Sequence, residues 1–127
     1  MSEYTILSID DDPSTRVLFE MMLSRAGFDV VQAEDADEAV QKLQEIEPDL
    51  IMTDIQLPGK NGIELIQELR QRDDLELTAI VVLSAFQSET MIDDAKSAGA
   101  DEFIKKPLKM EGLANLLIGI IKNKRGE

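Results

Sequence analysis

Short apolar runs of strand length alternate along the chain with segments whose apolar residues recur every three or four positions. The runs cover residues 5–9, 29–33, 50–53, 79–83 and 102–105. The first, third and fourth are almost wholly apolar, as expected of strands covered on both faces. The segments between them carry helix punctuation. Asp12-Pro13 reads as an N-cap followed by proline at the first helical position, with Gly27 beyond the last turn. Leu18, Met21, Met22 and Arg25 set the helical spacing of that segment. Asp35 with Glu38 three residues on resembles a capping box, opening a helix through Val40, Leu43 and Ile46. Asn61 caps a third helix carrying Ile63, Leu65, Ile66 and Leu69, and Ser88 opens a fourth that Gly99 closes. The fifth is predicted from about Met110 to Lys122, with Leu113, Leu116, Leu117, Ile120 and Ile121 inward. Residues 122–127 are expected to fray. No repeat or linker interrupts the pattern, so residues 1–127 are expected to form one domain.

Five strand–helix units in this order favour an α/β fold: a parallel sheet with right-handed crossovers and helices on both faces. In such a sheet the ligand site lies beyond the carboxyl ends of the strands, where the strand order reverses. The residues with chemistry fall at those ends. Asp10 and Asp11 follow the first strand, Asp54 the third, Ser84 the fourth and Lys106 the fifth. Carboxylates gathered at one sheet edge cannot all stay ionised without help. A hard divalent cation offsets them, and oxygen-only ligands suit Mg²⁺.

Composition removes several chemistries. The chain has no Cys, hence no disulfide framework, thiolate zinc site or thiol nucleophile. It has no His, the commonest general base and zinc ligand. A net charge of −13 repels phosphate backbones, so direct nucleic-acid binding is not expected. The opening Met1-Ser2-Glu3-Tyr4 is too short and polar for a signal peptide, and no apolar run is long enough to span a bilayer. A soluble cytoplasmic protein without membrane contact is the expectation.

Four pieces in order carry a resemblance: Ile9-Asp10-Asp11-Asp12-Pro13, the segment from Asp54 through Gln56 and Pro58 to Gly62, Val82-Leu83-Ser84-Ala85, and the segment from Gly99 through Phe103 to Lys106-Pro107. Over its whole length the chain resembles a response-regulator receiver domain of two-component signalling, chemotaxis receivers among them. The resemblance implies a flavodoxin-like (βα)5 fold with strand order 2-1-3-4-5, of which chemotaxis receivers are a standing example. It implies that Asp54 is the phosphoacceptor and that a histidine kinase or histidine phosphotransfer protein donates the phosphoryl group. Mg²⁺ would be held by Asp11 and Asp54 directly, by Asp10 largely through water, and by the backbone carbonyl of Gln56. Lys106 would clamp the phosphoryl group, with its neighbour Lys105 pointing away. The Lys106–Pro107 bond would be cis. Ser84 would be the switch hydroxyl and Phe103 the aromatic switch, reporting on the face made by the fourth helix, fifth strand and fifth helix. That face would address a downstream protein target or an output domain. Gln56 and Phe86 would flank the path of water to the phosphoryl group, a bulky Phe86 shielding it. Such a protein catalyses only its own phosphorylation and dephosphorylation.

Other readings use the same residues. Asp10 and Asp12 match the D-x-D motif of haloacid-dehalogenase-like phosphatases, as nucleophile and acid/base, but that leaves the match around Asp54 unexplained. Asp12 before Pro13 reads better as an N-cap. A calcium-binding EF-hand loop starting at Asp10 fails, because Thr15 stands where glycine is needed and Met21 where glutamate should close the loop. A receiver-like interaction module that takes no phosphate would have no need of Asp10, Asp11, Asp54, Ser84 and Lys106 together. A flavin or nucleotide module is the weakest of these readings, because the first loop is acidic and lacks glycine, the opposite of a phosphate cradle.

Overall fold

The structure, a computed structural model, describes residues 3–85 and 88–127. Its elements are β1 (Thr5–Ile9), α1 (Pro13–Arg25), β2 (Asp29–Ala33), α2 (Ala36–Lys42), β3 (Leu50–Asp54), α3 (Gly62–Arg70), β4 (Ala79–Ser84), α4 (Glu89–Ala98), β5 (Glu102–Lys105) and α5 (Leu113–Lys124). The strands form one parallel sheet in the order β2-β1-β3-β4-β5, which is the flavodoxin-like arrangement expected. Alternate side chains of the central strands feed two cores. On one face Leu7, Ile51, Ile80 and Val82 pack under α2, α3 and α4. On the other Ile6, Leu50, Met52, Val81 and Leu83 pack under α1 and α5. Both faces are covered, which is why β1, β3 and β4 read as continuous apolar runs.

Four helices start where polar caps predict. Asp12, Asp35, Asn61 and Ser88 each accept a hydrogen bond from the backbone N–H three residues on, at Thr15, Glu38, Glu64 and Met91. Several boundaries and faces differ from expectation. β3 and β4 each run one residue further, through Asp54 and Ser84. α2 stops at Lys42, and tight turns carry the chain through Ile46. Pro48 disfavours a helical backbone at Glu47 and turns the chain toward β3. α5 starts at Leu113 rather than Met110, because Gly112 sits at φ 73°, outside any right-handed helix. The same helix runs through Lys124, two residues past the predicted end at Lys122. Arg125 at its end pairs with Asp49, and its guanidinium lies 5.9 Å from the Tyr4 ring centroid.

Two apolar stripes are also read differently. α1 buries Phe19, Met22 and Leu23 and leaves Val17, Leu18 and Met21 at the surface. α5 buries Leu113, Leu117 and Ile121, an every-fourth-residue row, and Leu116 is 47% exposed. Period alone gives a helix; the orientation of the helix on the sheet selects the row.

At the amino-terminal edge of the sheet lies a polar network that sequence reading missed. The Arg70 guanidinium donates to the carbonyls of Gly99 (2.8 Å), Leu75 (2.9 Å) and Thr78 (3.0 Å) and to Asp101 Oδ2 (2.6 Å). Asp101 Oδ2 also accepts from the Ile80 N–H at 2.8 Å, and Asp101 Oδ1 pairs with Lys124 at 3.0 Å. One side chain thereby ties α3 to β4, to the α4–β5 turn and, through Asp101, to α5.

Candidate functional site

The chain passes from β1 outward to β2 and then back across to β3, so the strand order reverses between β1 and β3. Asp10 follows the last residue of β1, and Asp54 is the last residue of β3. Ile9 pairs with Thr53, which brings the two aspartates to the same edge at that reversal point. Asp10 is 1% exposed. Its N–H donates to the Ala33 carbonyl at 3.1 Å, its Oδ1 accepts from the Asp12 N–H at 3.0 Å, and its carbonyl accepts from Arg16 Nη1 at 2.8 Å. The β1–α1 loop is thus curled around Asp10 before α1 begins. Arg16 had no sequence signal beyond its place in the first turn after Pro13.

Asp54 is held at both carboxylate oxygens. Oδ1 accepts from the Gln56 N–H at 3.0 Å, and Oδ2 accepts from Lys106 Nζ at 2.7 Å. The same ammonium lies 3.2 Å from Asp10 Oδ2. Lys106 reaches the cluster from beyond β5, with β4 between. Its N–H donates to the Ser84 carbonyl at 2.8 Å, extending the β4–β5 pairing by one residue past Ser84 and Lys105. The Lys106–Pro107 bond is cis, and Lys105 is exposed. The Lys106 ammonium also sits 5.9 Å from the Phe19 ring centroid.

Asp10, Asp11 and Asp54 each offer a carboxylate oxygen, and these lie within 4.8 Å of one another. Asp12 is committed elsewhere: its Oδ2 accepts from the Thr15 N–H at 2.9 Å and the Thr15 hydroxyl at 2.6 Å, and these bonds hold its carboxyl below the ordinary range. The three clustered carboxylates are hard oxygen donors on one edge, opposed by the Lys106 ammonium. That set suits a small divalent cation, and the residues fit Mg²⁺.

Burial is the largest influence on the Lys106 ammonium and pushes its pKa down. The hydrogen bond and charge of Asp54, with the charge and hydrogen bond of Asp10, together outweigh burial, and the pKa ends above its ordinary 10.5. A raised folded-state value means that the ion pair contributes fully below about pH 10.5 and is lost as pH rises through the folded value. The stability gap between the parent and Lys106→Met, followed by urea unfolding, is therefore expected to be flat from pH 7 to 9 and to close above about pH 10.5. A gap that closes on the acid side instead would place the relevant proton on another group.

Ser84 is buried at the end of β4, and Phe103 is half-buried in β5 against the core under α4. Gln56 is exposed. Phe86, expected to shield the site, lies outside the described residues.

A family model described as response regulator receiver domain matches residues 6–118. The chemotaxis protein CheY of Bacillus subtilis is 37% identical over 109 residues, which cover 85% of this chain and 89% of that protein. A cyclic di-GMP phosphodiesterase of Thermotoga maritima is 30% identical over 94% of this chain, but the chain spans 32% of that longer protein. Among solved structures, the receiver domain of a sensor histidine kinase from Pseudomonas aeruginosa is 26% identical and superposes with a TM-score of 0.84, covering 93% of this chain and 97% of that one. That structure holds a magnesium ion coordinated in its active site cleft.

Proposed function

The chain belongs to the response-regulator receiver family, and on that premise we propose that Asp54 accepts a phosphoryl group from a phosphohistidine on a histidine kinase or phosphotransfer protein. The observation that carries this reading is the Lys106 ammonium, which bridges Asp54 Oδ2 and Asp10 Oδ2 at 2.7 and 3.2 Å. A cation in that place stabilises Asp54 at rest and meets a phosphoryl oxygen after transfer.

In the transfer, a carboxylate oxygen of Asp54 bonds to phosphorus while the phosphorus–nitrogen bond of the donor breaks. The imidazole leaves with that electron pair and takes a proton from solvent. A carboxylate is ionised at neutral pH and needs no base, which suits a chain without histidine. Asp10, Asp11, Asp54 and the backbone carbonyl of Gln56 would hold Mg²⁺. When bound, the ion offsets the acid cluster and the charge on the transferring oxygens. The Gln56 N–H on Asp54 Oδ1 fixes the carboxylate plane. Ser84 and Lys106 hold the product oxygens. Phe103 lacks the hydroxyl that a tyrosine would use to anchor outside, so its inward rotation is driven by burial. The result is a changed face of α4, β5 and α5, presented to a downstream protein target or an output domain. No helix among the described residues is long and apolar enough to cross a membrane.

The phosphatase-like alternative is not favoured. Its nucleophile, Asp10, is the more deeply buried of the two, its side chain 2% exposed against 17% for Asp54, and its acid/base, Asp12, is committed to capping α1 through Thr15. The two readings label different residues. Acetyl phosphate with Mg²⁺ is expected to add one hydroxylamine-labile phosphoryl group, and peptide mapping is expected to place it on Asp54. Label on Asp10 would reverse the choice.

The two neighbouring aspartates are expected to separate in a calorimetric Mg²⁺ titration. Asp11→Ala should weaken binding by about tenfold or more, as loss of a direct ligand does. Asp12→Ala should leave the affinity within about threefold, its cost appearing as lowered helix stability. Equal losses in both variants would refute this division of roles.

A further inference from the structure

α3 begins directly against the backbone of the residue proposed to carry the phosphoryl group. Gly62 is its first residue, and the Gly62 N–H donates to the Ile55 carbonyl at 2.8 Å. A Cβ at position 62 would lie 2.5 Å from the Asp54 carbonyl oxygen and 2.9 Å from Ile55 Cα. Both are main-chain atoms, so no side chain can swing aside to make room.

Gly62 is not among the glycines with positive φ. Its backbone is ordinary helix, where alanine is the better residue. What position 62 requires is the absence of a side chain, and nothing else about glycine. The requirement comes from the loop between β3 and α3, which folds back so that the helix end seats on the Asp54–Ile55 peptide. That peptide leads straight into Gln56, whose N–H reaches Asp54 Oδ1 at 3.0 Å. The Ile55 N–H is tied to the Leu83 carbonyl at 3.2 Å, and Asn61 caps the helix through the Glu64 N–H at 2.9 Å. The loop is therefore clamped on both sides, with Gly62 as the point of closest approach.

We propose that Gly62 is a positioning residue for the phosphoacceptor. By letting α3 seat on the Asp54–Ile55 peptide, it fixes the segment that aims the Asp54 carboxylate and presents Gln56 to the acid trio. The inference rests on the reading of Asp54 as phosphoacceptor and deepens it. A methyl group at position 62 forces the peptide or the helix end to retreat by about an ångström to reach ordinary carbon contact. A displacement of that size beneath a ligand set costs on the order of ten to a hundredfold in metal affinity or rate.

The test compares the parent, Gly62→Ala and Gly119→Ala as full chains. Gly119 is helical, with open space around its Cβ position. Three quantities are measured: Mg²⁺ affinity by calorimetry, the Gln56 amide resonance in the metal-free protein, and the rate of labelling by acetyl phosphate at saturating Mg²⁺. Gly62→Ala is expected to fold, to shift the Gln56 amide before any metal is added, to bind Mg²⁺ about tenfold more weakly and to label at least several-fold more slowly. Gly119→Ala is expected to match the parent in all three. A Gly62→Ala protein that melts earlier yet keeps the parent's Mg²⁺ affinity and Gln56 resonance would reduce Gly62 to packing and overturn the inference. Should Gly62→Ala not fold, the parent carries the test: the Gly62 and Ile55 amides must shift along with Gln56 during the Mg²⁺ titration, and a silent Gly62 overturns it. Failure of the phosphoacceptor reading shows separately, as a parent protein that takes no label on Asp54, whereas the role of Gly62 is read from the ratio of affinities.

Discussion

Asp54→Asn is expected to take up no phosphoryl group from acetyl phosphate and Mg²⁺ under conditions in which the parent takes one. The amide nitrogen is not nucleophilic at neutral pH, and its oxygen carries no full charge. The chain has no His or Cys to replace it, and of the neighbouring carboxylates Asp10 is buried with Lys106 at 3.2 Å, while Asp11 is assigned to the metal. The rate should fall by more than about 10³-fold, as for removal of other nucleophiles. The fold should survive, because the substitution is nearly isosteric. The side-chain oxygen of the introduced amide can still accept from the Gln56 N–H, and Lys106 keeps Asp10 as its anion. Two changes to stability oppose each other. The variant loses one partner of the Lys106 pair, and it removes one of three mutually repelling carboxylates. Intact-mass measurement reads the label, and urea unfolding is expected to stay within about 1 kcal/mol of the parent. Labelling of the variant at the parent's rate would end the Asp54 assignment.

The largest expected loss of stability belongs to Arg70, far from that chemistry. Its side chain is 16% exposed and pairs with Asp101 at 2.6 Å while serving the carbonyls of Gly99, Leu75 and Thr78. Arg70→Met keeps much of the aliphatic stem and removes every donor. Breaking a buried pair from one side costs about 3–5 kcal/mol. Asp101 retains Lys124 and the Ile80 N–H, so it is not stranded, and the cost belongs at the low end, about 3 kcal/mol. Urea unfolding of the parent and Arg70→Met measures it. Arg72→Met is the control. Its partner Asp74 is exposed, and an exposed pair contributes little, so this variant should unfold close to the parent. Arg70→Met within about 1 kcal/mol of the parent would mean that water replaces the network without loss.

Gly99, which sits under Arg70, shows how sequence and tertiary structure divide this region. The structure gives it a φ of 120°, and its place after α4 was readable as a helix stop. That a Cβ there would lie 2.3 Å from Arg70 Cγ was not, because Arg70 is on another helix.

The elements themselves were legible for local reasons. Three of five strands have the predicted bounds, and the other two are longer by one residue. A strand covered on both faces must be apolar throughout, and a helix start must satisfy its own N–H groups, so both leave marks within a few residues. Asp10, Asp54, Ser84 and Lys106 were legible as a set because each ends or follows a strand, and parallel strands bring such ends to one edge. The order of the strands came from family resemblance and not from periodicity. Which row of α1 or α5 faces the core was decided by the sheet beneath it, hence the exposed Leu18 and Leu116. Lys106 meeting Asp54 and Asp10, Arg70 reaching Asp101, and Gly62 donating to the Ile55 carbonyl where a Cβ would strike that of Asp54 each join residues that lie apart in the chain. Propensity, capping and period act over a turn or two of chain. Contacts of that second kind exist only once the sheet has set the distances between its strands and the helices that cross them.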